Sequence, residues 1–281
     1  MQLVWRVIVS LDWESAPLIS GKHQDVYKRQ ALGKYLGHEV TIFMPDWMSS
    51  ERINLMKSYG AEVRLVSKQE GGFLGSIRLS EELAAGGGVF LPRQFSNGEN
   101  VRAHYLFTAP EILAQLDALG LYPQGTVAGV GTGGTIMGLA EKFREVHPDC
   151  RAYPLEPLNS PTLSTGYKVG AHRIQGISDE FIPDIVKLDQ LDEVVSVDDG
   201  DSIVMARLLS EKLGIGVGIS SGANFIGCLL MQDQLGGDSV FVTTFADDNK
   251  KYLSTDYSDD PVIRTGSVSA DTELLDVIAH R

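Results

Sequence analysis

Short apolar runs alternate with longer helical stretches along most of this chain, and no other feature restricts its fold as strongly. The run 39–44 is closed by a turn at Pro45 and Asp46, and the run 62–66 follows after a helical stretch. Strands of about five residues that are separated by helices are joined by right-handed crossovers into parallel sheets. The alternation therefore predicts an α/β protein, and a length of 281 residues suits two such sheets.

The same alternation gives a division of the chain. A helix is predicted from Ser49 or Ser50 to Tyr59, with Gly60 as its left-handed stop. Further strands are predicted at 88–91, 126–130, 152–155, 193–197 and 239–245, and further helices over 100–119, after a glycine loop to about 146, over 201–213 and over 221–235. Residues 1–30 show no clear period and are interpreted as an aberrant N-terminal segment. The prediction is a smaller, incomplete domain over 31–111, a phosphate-binding domain over 112–257 and a tail over 258–281.

Composition excludes several classes of partner. The chain has 37 acidic and 24 basic residues, which gives a net charge of −13. Such a chain repels nucleic-acid phosphates and anionic membrane surfaces. Cys150 and Cys228 lie in unrelated contexts, so neither a disulfide framework nor a metal site is predicted. The most apolar stretch, 215–231, carries polar residues and is too polar for a membrane span. These features predict a cytoplasmic protein with a small-molecule substrate.

A glycine-rich loop between a predicted strand and a predicted helix is the first candidate site. Residues 129–135 read Gly-Val-Gly-Thr-Gly-Gly-Thr. Glycines let backbone N–H groups approach an anion at the positive end of a helix, so the loop indicates a phosphate site. A glycine-rich turn that serves only tight packing is the structural alternative.

The same glycines also fit a dinucleotide-binding pattern. Gly129, Gly131 and Gly134 satisfy G-x-G-x-x-G. Glu156 follows by about 20 residues, near the end of the next strand, where a ribose-binding acid is expected. An NAD-dependent oxidoreductase is therefore a competing hypothesis. Against it, the motif lies in mid-chain without a clear second mononucleotide half, and Pro157 directly after Glu156 suggests a turn.

A second set of sequence motifs decides between these interpretations. Residues 218–224 read Gly-Ile-Ser-Ser-Gly-Ala-Asn and open a helix; taken alone, Ser220 is an ordinary N-cap. Other distinctive segments are 44–49 (MPDWMS), 59–63 (YGAEV), 94–97 (QFSN), 103–105 (AHY), Glu156-Pro157, Ser160-Pro161, 174–177 (IQGI), 181–183 (FIP) and 252–255 (YLST). By these motifs, residues 31–257 resemble the cysteine synthase (O-acetylserine sulfhydrylase) family. Its members are pyridoxal-phosphate enzymes of the tryptophan-synthase-β fold type.

The resemblance implies roles for individual residues. Ser220 would hydrogen-bond the pyridine nitrogen, Gln94 would contact the substrate carboxylate, and Gly176 would line the pocket opposite Gln94. A neutral hydroxyl at the ring nitrogen makes the ring a weaker electron sink than a carboxylate would, which suits loss of a β-substituent. The implied enzyme is a homodimer that replaces the β-substituent of O-acetylserine, or of a related alanine, with sulfide to give L-cysteine. The residues that would hold the phosphate of pyridoxal 5′-phosphate are Gly131, Thr132, Gly133, Gly134 and Thr135.

Two elements of the family are not found. The Schiff-base lysine, normally in a motif of Asn-Pro, Ser and Lys, is expected well upstream of Met44. The substrate-carboxylate loop, Ser-Gly-Asn-Thr-Gly, is expected directly before the helix that contains Ala31. Lys22 and Lys28 have neither the motif nor the spacing. The seam near Gln30 indicates a truncated or mis-assembled start, so we expect the chain as written to be inactive yet able to hold a phosphate.

Two acidic positions depart from typical cysteine synthases. Asp179 stands where the family has small residues, and Asp247 stands where it often has a serine close to the pyridine ring. Acids at a pocket mouth would activate water or amines and favour a cysteine or serine lyase of the desulfhydrase type, or another nucleophile. Solvated surface acids are the alternative, and the nucleophile stays open. A vestigial or partner-binding protein without a cofactor is the remaining class.

Overall fold

Two parallel sheets organise the chain, which confirms the predicted α/β class. The computed structural model describes residues 7–10, 26–177, 180–259, 264–275 and 277, with the backbone alone for 7–10 and 26–29. The strands are β1 (Val7–Ser10), β2 (Thr41–Pro45), β3 (Glu62–Val66), β4 (Gly125–Gly129), β5 (Arg151–Pro157), β6 (Val195–Val197) and β7 (Phe241–Thr244). Within this part of the chain, one sheet has the order β1-β7-β4-β5-β6 and the other pairs β2 with β3; every pairing is parallel.

Helices connect and cover these strands. They are α1 (Val26–Tyr35), α2 (Ser50–Ser58), α3 (Gly72–Ala85), α4 (Glu99–Ala103), α5 (Ala109–Ala118), α6 (Gly134–Val146), α7 (Thr162–Thr165), α8 (Asp199–Leu213), α9 (Ile219–Leu235) and α10 (Val268–Asp271). The predicted start and stop of α2 are confirmed. The Ser49 hydroxyl accepts from the N–H of Arg52, and Gly60 has φ +77°. None of the described helices is long and apolar enough to cross a bilayer.

The larger sheet holds the main core because α9 lies directly against it. A Cβ atom added at Gly227 of α9 would lie 2.6 Å from a methyl of Leu155 and 2.8 Å from one of Val127. Only a glycine permits this close approach between helix and sheet. Leu155, Val127 and Phe241 are fully buried there. This packing fixes the first turn of α9 relative to the ends of the strands, and the candidate site lies at that position.

Three segments differ from the sequence-based prediction. Residues 88–91 are not a strand: no pairing is found for them in the described part of the chain, and Phe90 is 86% exposed. The predicted helix over 100–119 is interrupted by a π-helical turn, His104–Thr108. Val7–Ser10, for which no element was predicted, pairs with β7 at the edge of the larger sheet. Four residues are too few to show a period, so the sequence could not indicate this strand.

The structure describes part of the tail 258–281 and the helical stretch around the predicted domain boundary at residue 111. The Asp201 carboxylate accepts from the N–H groups of Val268 and Ser269 at 2.9 and 3.0 Å, which anchors α10 on the first turn of α8. The helical stretch 99–118 runs past residue 111 and packs on α6 through its π-turn. The division of the chain at residue 111 stays a prediction.

Both cysteines are expected to be unreactive in the native protein. Burial raises the pKa of the Cys150 thiol to about 12 and raises that of Cys228 further. The thiolate is the reactive form, so a thiol reagent at pH 7.5 has almost no nucleophile to attack. We expect negligible labelling by a chromogenic disulfide reagent in buffer, and about two thiols per chain in guanidinium, as the composition requires. Rapid labelling without denaturant would contradict the burial of these side chains.

Candidate functional site

A cavity of about 720 Å³ lies between the two sheets, where the carboxyl ends of β4 and β7 open. Strand β4 lies between β5 and β7: the chain continues from β4 to β5 and β6 on one side and later places β7 on the other side, so the strand order reverses at β4. Ligands of open α/β sheets bind at such switch points. The cavity wall includes Met44, Arg52, Gln94, Thr132, Thr135, Gly176, Ser220, Asn224, Asp247 and Tyr252. The topology thus brings together segments that are distant in sequence.

The glycine loop forms one wall and has the close backbone approach that its sequence predicts. Gly133 has φ +86° and precedes α6, a helix of 13 residues. A Cβ atom at Gly131 would lie 2.3 Å from the carbonyl oxygen of Gly176, and one at Gly133 would lie 2.1 Å from a methyl of Val186. The first N–H groups of a helix have no intrahelical acceptor, and the helix end carries partial positive charge. The loop can therefore bind an anion such as a phosphate.

Two threonine hydroxyls of this wall are held by side chains from the preceding helical stretch. Asn100 Nδ2 donates to Thr132 Oγ1 at 2.9 Å, and His104 Nε2 lies 3.3 Å from Thr135 Oγ1. From the sequence, His104 is predicted only as part of a family motif, and no contact is predicted for Asn100. Asn100 lies about thirty residues before Thr132, and no local pattern indicates that contact.

The first turn of α9 forms another part of the cavity wall. Gly218 is the N-cap of α9, so the interpretation of Ser220 as an N-cap is wrong; Ser220 lies within the helix, 8% exposed, and lines the cavity. Asn224 accepts from the N–H of Gly129 at 2.8 Å and donates to the carbonyl of Thr244 at 2.9 Å. This amide ties α9 to the ends of β4 and β7. From the sequence, Asn224 is part of the motif 218–224, and no role is predicted for it.

The two residues expected at the substrate end lie in the same cavity. Gln94 lines the cavity, and its backbone carbonyl oxygen accepts a hydrogen bond from Asn100 Nδ2 at 2.9 Å. Arg93, directly before it, has φ +49°, a conformation that is uncommon outside glycine. Gly176 has φ +94°, and its carbonyl faces Gly131 across the wall. Asp179, the first of the two acidic positions, lies outside the described residues.

Asp247 is not a solvated surface acid. Its side chain is 12% exposed, and its Oδ2 accepts from the Tyr252 hydroxyl at 2.5 Å and lies 3.8 Å from Lys251 Nζ. Arg52 Nη2 donates to the same tyrosine hydroxyl at 3.2 Å. Burial, and after it the negative charge of Asp247, raises the pKa of Tyr252 well above its ordinary value, so the phenol stays neutral and donates. A buried, hydrogen-bonded carboxylate thus belongs to the cavity wall.

Glu156 has a structural role that the dinucleotide hypothesis did not expect. It is fully buried, and its carboxylate accepts from the N–H groups of Leu163 and Ser164 at 2.7 and 3.3 Å and from the Ser196 hydroxyl at 3.2 Å. These donors occupy the carboxylate at the start of α7. The carboxylate that the dinucleotide hypothesis assigns to a ribose is therefore buried and already hydrogen-bonded within the protein.

The described part of the cavity does not supply the Schiff-base amine that the family uses. Lys251 is the one lysine among the described lining residues, and its ammonium group faces Asp247. Lys22 lies outside the described residues, and Lys28 lies in α1, where only the backbone is described. Among the described residues, the cavity is thus lined by the glycine loop and by Ser220, and Lys251 is its one lining lysine.

Comparisons with known proteins agree with this geometry. Residues 30–247 match the family described as "Pyridoxal-phosphate dependent enzyme". The chain is 42% identical over 221 residues to a probable cysteine synthase of Bacillus subtilis (strain 168), which covers 78% of this chain and 70% of that protein. It is 36% identical over 219 residues to the cysteine synthase of Staphylococcus aureus (strain N315), covering 78% and 69%.

Solved structures show the same likeness in three dimensions. A hydrogen sulfide-producing enzyme from Fusobacterium nucleatum has a TM-score of 0.85 at 56% identity, covering 89% of this chain and 75% of that one. A cysteine synthase from Entamoeba histolytica has a TM-score of 0.76 at 30% identity, covering 95% and 74%.

Proposed function

The chain belongs to the pyridoxal-phosphate dependent enzymes and is cysteine synthase-like, and on this premise we propose that its cavity binds the cofactor and a β-substituted amino acid. The observation that carries the proposal is that one cavity is lined both by the glycine loop at the start of α6 and by Ser220 in the first turn of α9. The proposed reaction class is replacement of the β-substituent of O-acetylserine or a related alanine.

The residues present fit the phosphate and the ring. Gly131, Thr132, Gly133, Gly134 and Thr135 form a cradle in which an added Cβ atom would overlap neighbouring atoms at Gly131 and Gly133. The backbone N–H groups and the two threonine hydroxyls supply donors at a positive helix end. On the other wall, the Ser220 hydroxyl would meet the pyridine nitrogen. When bound, the cofactor supplies an electron sink that stabilises negative charge at the amino-acid Cα.

Gln94 and Gly176, two cavity-lining residues that lie outside the strands, would form the substrate end of the site. Gln94 would donate its side-chain amide to the substrate carboxylate, and Gly176 would leave room for the substrate opposite it. Asn100 Nδ2 donates both to the backbone carbonyl of Gln94 and to Thr132 Oγ1, each at 2.9 Å, and so links the two segments. The amino acid would therefore be oriented by the same side chain that fixes the phosphate wall.

A lyase of the desulfhydrase type is the second candidate. Two observations favour it: the buried Asp247 carboxylate in the cavity wall, and 56% identity to a hydrogen sulfide-producing enzyme. Both candidates need the same cofactor and the same substrate end; they differ in whether a nucleophile adds to the β-carbon after the β-substituent leaves. The homodimer that the resemblance implies also stays a proposal.

We expect the chain as written to bind pyridoxal phosphate without a covalent link. The glycine loop and Ser220 line the cavity and would hold the phosphate and the ring, whereas the described lysine of the cavity faces Asp247. Binding should be saturable by absorbance, reversible on dialysis, and reduced by about tenfold in Ser220→Ala, since one buried hydrogen bond to the ring is lost. Ser258→Ala, an exposed serine of the C-terminal tail, is the matched control.

Borohydride reduction followed by peptide mass analysis tests the absence of the covalent link. No pyridoxyl peptide and no cysteine formed from O-acetylserine and sulfide is the expected result. A pyridoxyl adduct on Lys22 or Lys28, together with turnover, would show that the N-terminal segment supplies the missing amine. Failure to bind pyridoxal phosphate at all would contradict the proposed site. Saturable NADH binding in its place would restore the oxidoreductase hypothesis.

A further inference from the structure

The side-chain amide of Asn100 contacts Thr132, a residue of the cavity wall, at 2.9 Å. We propose that Asn100 is a positioning residue: it keeps the Thr132 hydroxyl as a hydrogen-bond donor to the phosphate of the bound cofactor. The inference rests on the proposed function, because it needs the phosphate to lie at the glycine loop. It deepens that function by giving a role to a residue outside the loop.

The orientation of the Asn100 amide is fixed by the group that it faces. Its Nδ2 lies 2.9 Å from the backbone carbonyl oxygen of Gln94 and 2.9 Å from Thr132 Oγ1. A backbone carbonyl can only accept, so the nitrogen of the amide, and not its oxygen, must face Gln94. Both hydrogens of this nitrogen are therefore used, and the second one is donated to the Thr132 hydroxyl.

Gly134 provides the space that the Asn100 amide occupies. A Cβ atom on Gly134 would lie 1.7 Å from Asn100 Oδ1 and 2.4 Å from its Cγ. Gly134 is not among the described residues that line the cavity, so its missing side chain makes room for Asn100 and not for the ligand. Asn100 is 4% exposed, and its Oδ1 has no hydrogen-bond partner among the described residues. The two bonds of Nδ2 therefore hold the amide in place.

Thr132 Oγ1 accepts two hydrogen bonds from the protein. One comes from Asn100 Nδ2 at 2.9 Å and the other from the N–H of Gly134 at 3.3 Å. A hydroxyl has two lone pairs and one proton, so these two bonds leave only the proton for a further partner. No acceptor for that proton is found in the described part of the chain, and Thr132 lines the cavity. A phosphate oxygen is a charged acceptor and would receive a strong hydrogen bond there.

Pyridoxine 5′-phosphate and pyridoxine test the inference, because they differ only in the phosphate and need no lysine. Calorimetric titration gives their dissociation constants for the wild type, Asn100→Asp and Asn54→Asp. In Asn100→Asp the new carboxylate accepts the Thr132 proton, so the phosphate ligand should bind about 10- to 100-fold more weakly. Pyridoxine should bind within about threefold of the wild type, since it lacks the acceptor. Asn54→Asp makes the same change at an exposed position of α2 and should alter neither affinity.

Variants of Thr132 separate the orientation of the hydroxyl from simple charge repulsion. Thr132→Ser keeps the hydroxyl and should bind pyridoxine 5′-phosphate within about threefold of the wild type, whereas Thr132→Val should bind it about 10- to 100-fold more weakly. Asn100→Asp should then add little to Thr132→Val, because the hydroxyl that it redirects is already gone. An equal factor from Asn100→Asp in both backgrounds would show that Asn100 does not act through Thr132.

The possible results separate this inference from the proposed function. If the wild type does not bind pyridoxine 5′-phosphate, the cofactor site is wrong, and this inference falls with it. If the wild type and Asn100→Asp bind it equally, the cofactor site stands and the role of Asn100 is overturned. Circular dichroism checks that each variant is folded. Should Asn100→Asp not fold, Thr132→Val and Thr132→Ser still decide, since equal affinities would show that the hydroxyl does not donate to the phosphate.

Discussion

Gly131→Ala is expected to weaken the binding of pyridoxal phosphate by about 100-fold while the protein stays folded. The new methyl group would lie 2.3 Å from the carbonyl oxygen of Gly176, so one backbone must move away from the other. Overpacking of this kind costs about 1–3 kcal/mol, and each 1.4 kcal/mol is about tenfold in affinity. The shift displaces the loop that holds the phosphate. Absorbance titration of the two proteins measures the difference.

A second glycine provides the control for this substitution. Gly98 has φ −60°, and a Cβ atom there would meet nothing within 4 Å. Gly98→Ala should therefore bind the cofactor like the wild type and unfold at the same temperature or slightly higher. Equal affinity of Gly131→Ala and the wild type would show that the phosphate does not lie in this loop. A loss of helical circular dichroism in Gly131→Ala would instead show that the loop supports the fold.

Glu156→Ala is expected to lower the free energy of unfolding by about 3–4 kcal/mol, because several buried donors lose one acceptor. The N–H groups of Leu163 and Ser164 and the Ser196 hydroxyl all donate to this fully buried carboxylate. Urea unfolding followed by circular dichroism measures the loss. Ser164→Ala removes one donor of the same carboxylate, a hydroxyl on an exposed residue, and should cost about 1 kcal/mol, clearly less than Glu156→Ala.

The same variant bears on the competing hypothesis. If Glu156 held a ribose, its loss would abolish binding of NADH and leave stability nearly unchanged. The hydrogen bonds in the structure predict the opposite: a large loss of stability and no change in NADH binding. A stable Glu156→Ala protein would contradict the structural role given to this residue.

Local signals in the sequence predicted the regular elements well. The strand 62–66 is found at its predicted ends, and α2 begins at the Ser49 cap and ends before Gly60. The glycine loop was predicted from residue types that are adjacent in sequence. Each of these features depends on neighbours within a few residues, and this is the range over which capping, turn chemistry and periodicity act.

Features that depend on distant partners were missed. Residues 88–91 have the composition of a strand, but a strand needs a neighbour, and the described chain provides none. Asn100 and Asn224 fix the site across 32 and 95 residues of sequence, respectively. The buried state of Asp247 depends on Tyr252 and on Arg52 from α2. A single sequence shows the polar residue but not the partner that buries it.

The π-turn at His104–Thr108 couples two surfaces through one helical register. Asn100, before the turn, and His104, at its first residue, contact Thr132 and Thr135 of the glycine loop. After it, Ile112 and Leu116 are fully buried in the core. The wider turn holds one more residue than an α-helix would over the same rise. If the same residues formed a regular α-helix, the half after the turn would be rotated by about 100° relative to the half before it, and the buried face would leave the core. The wider turn therefore lets one continuous helical stretch direct polar side chains to the cavity and apolar side chains to the core.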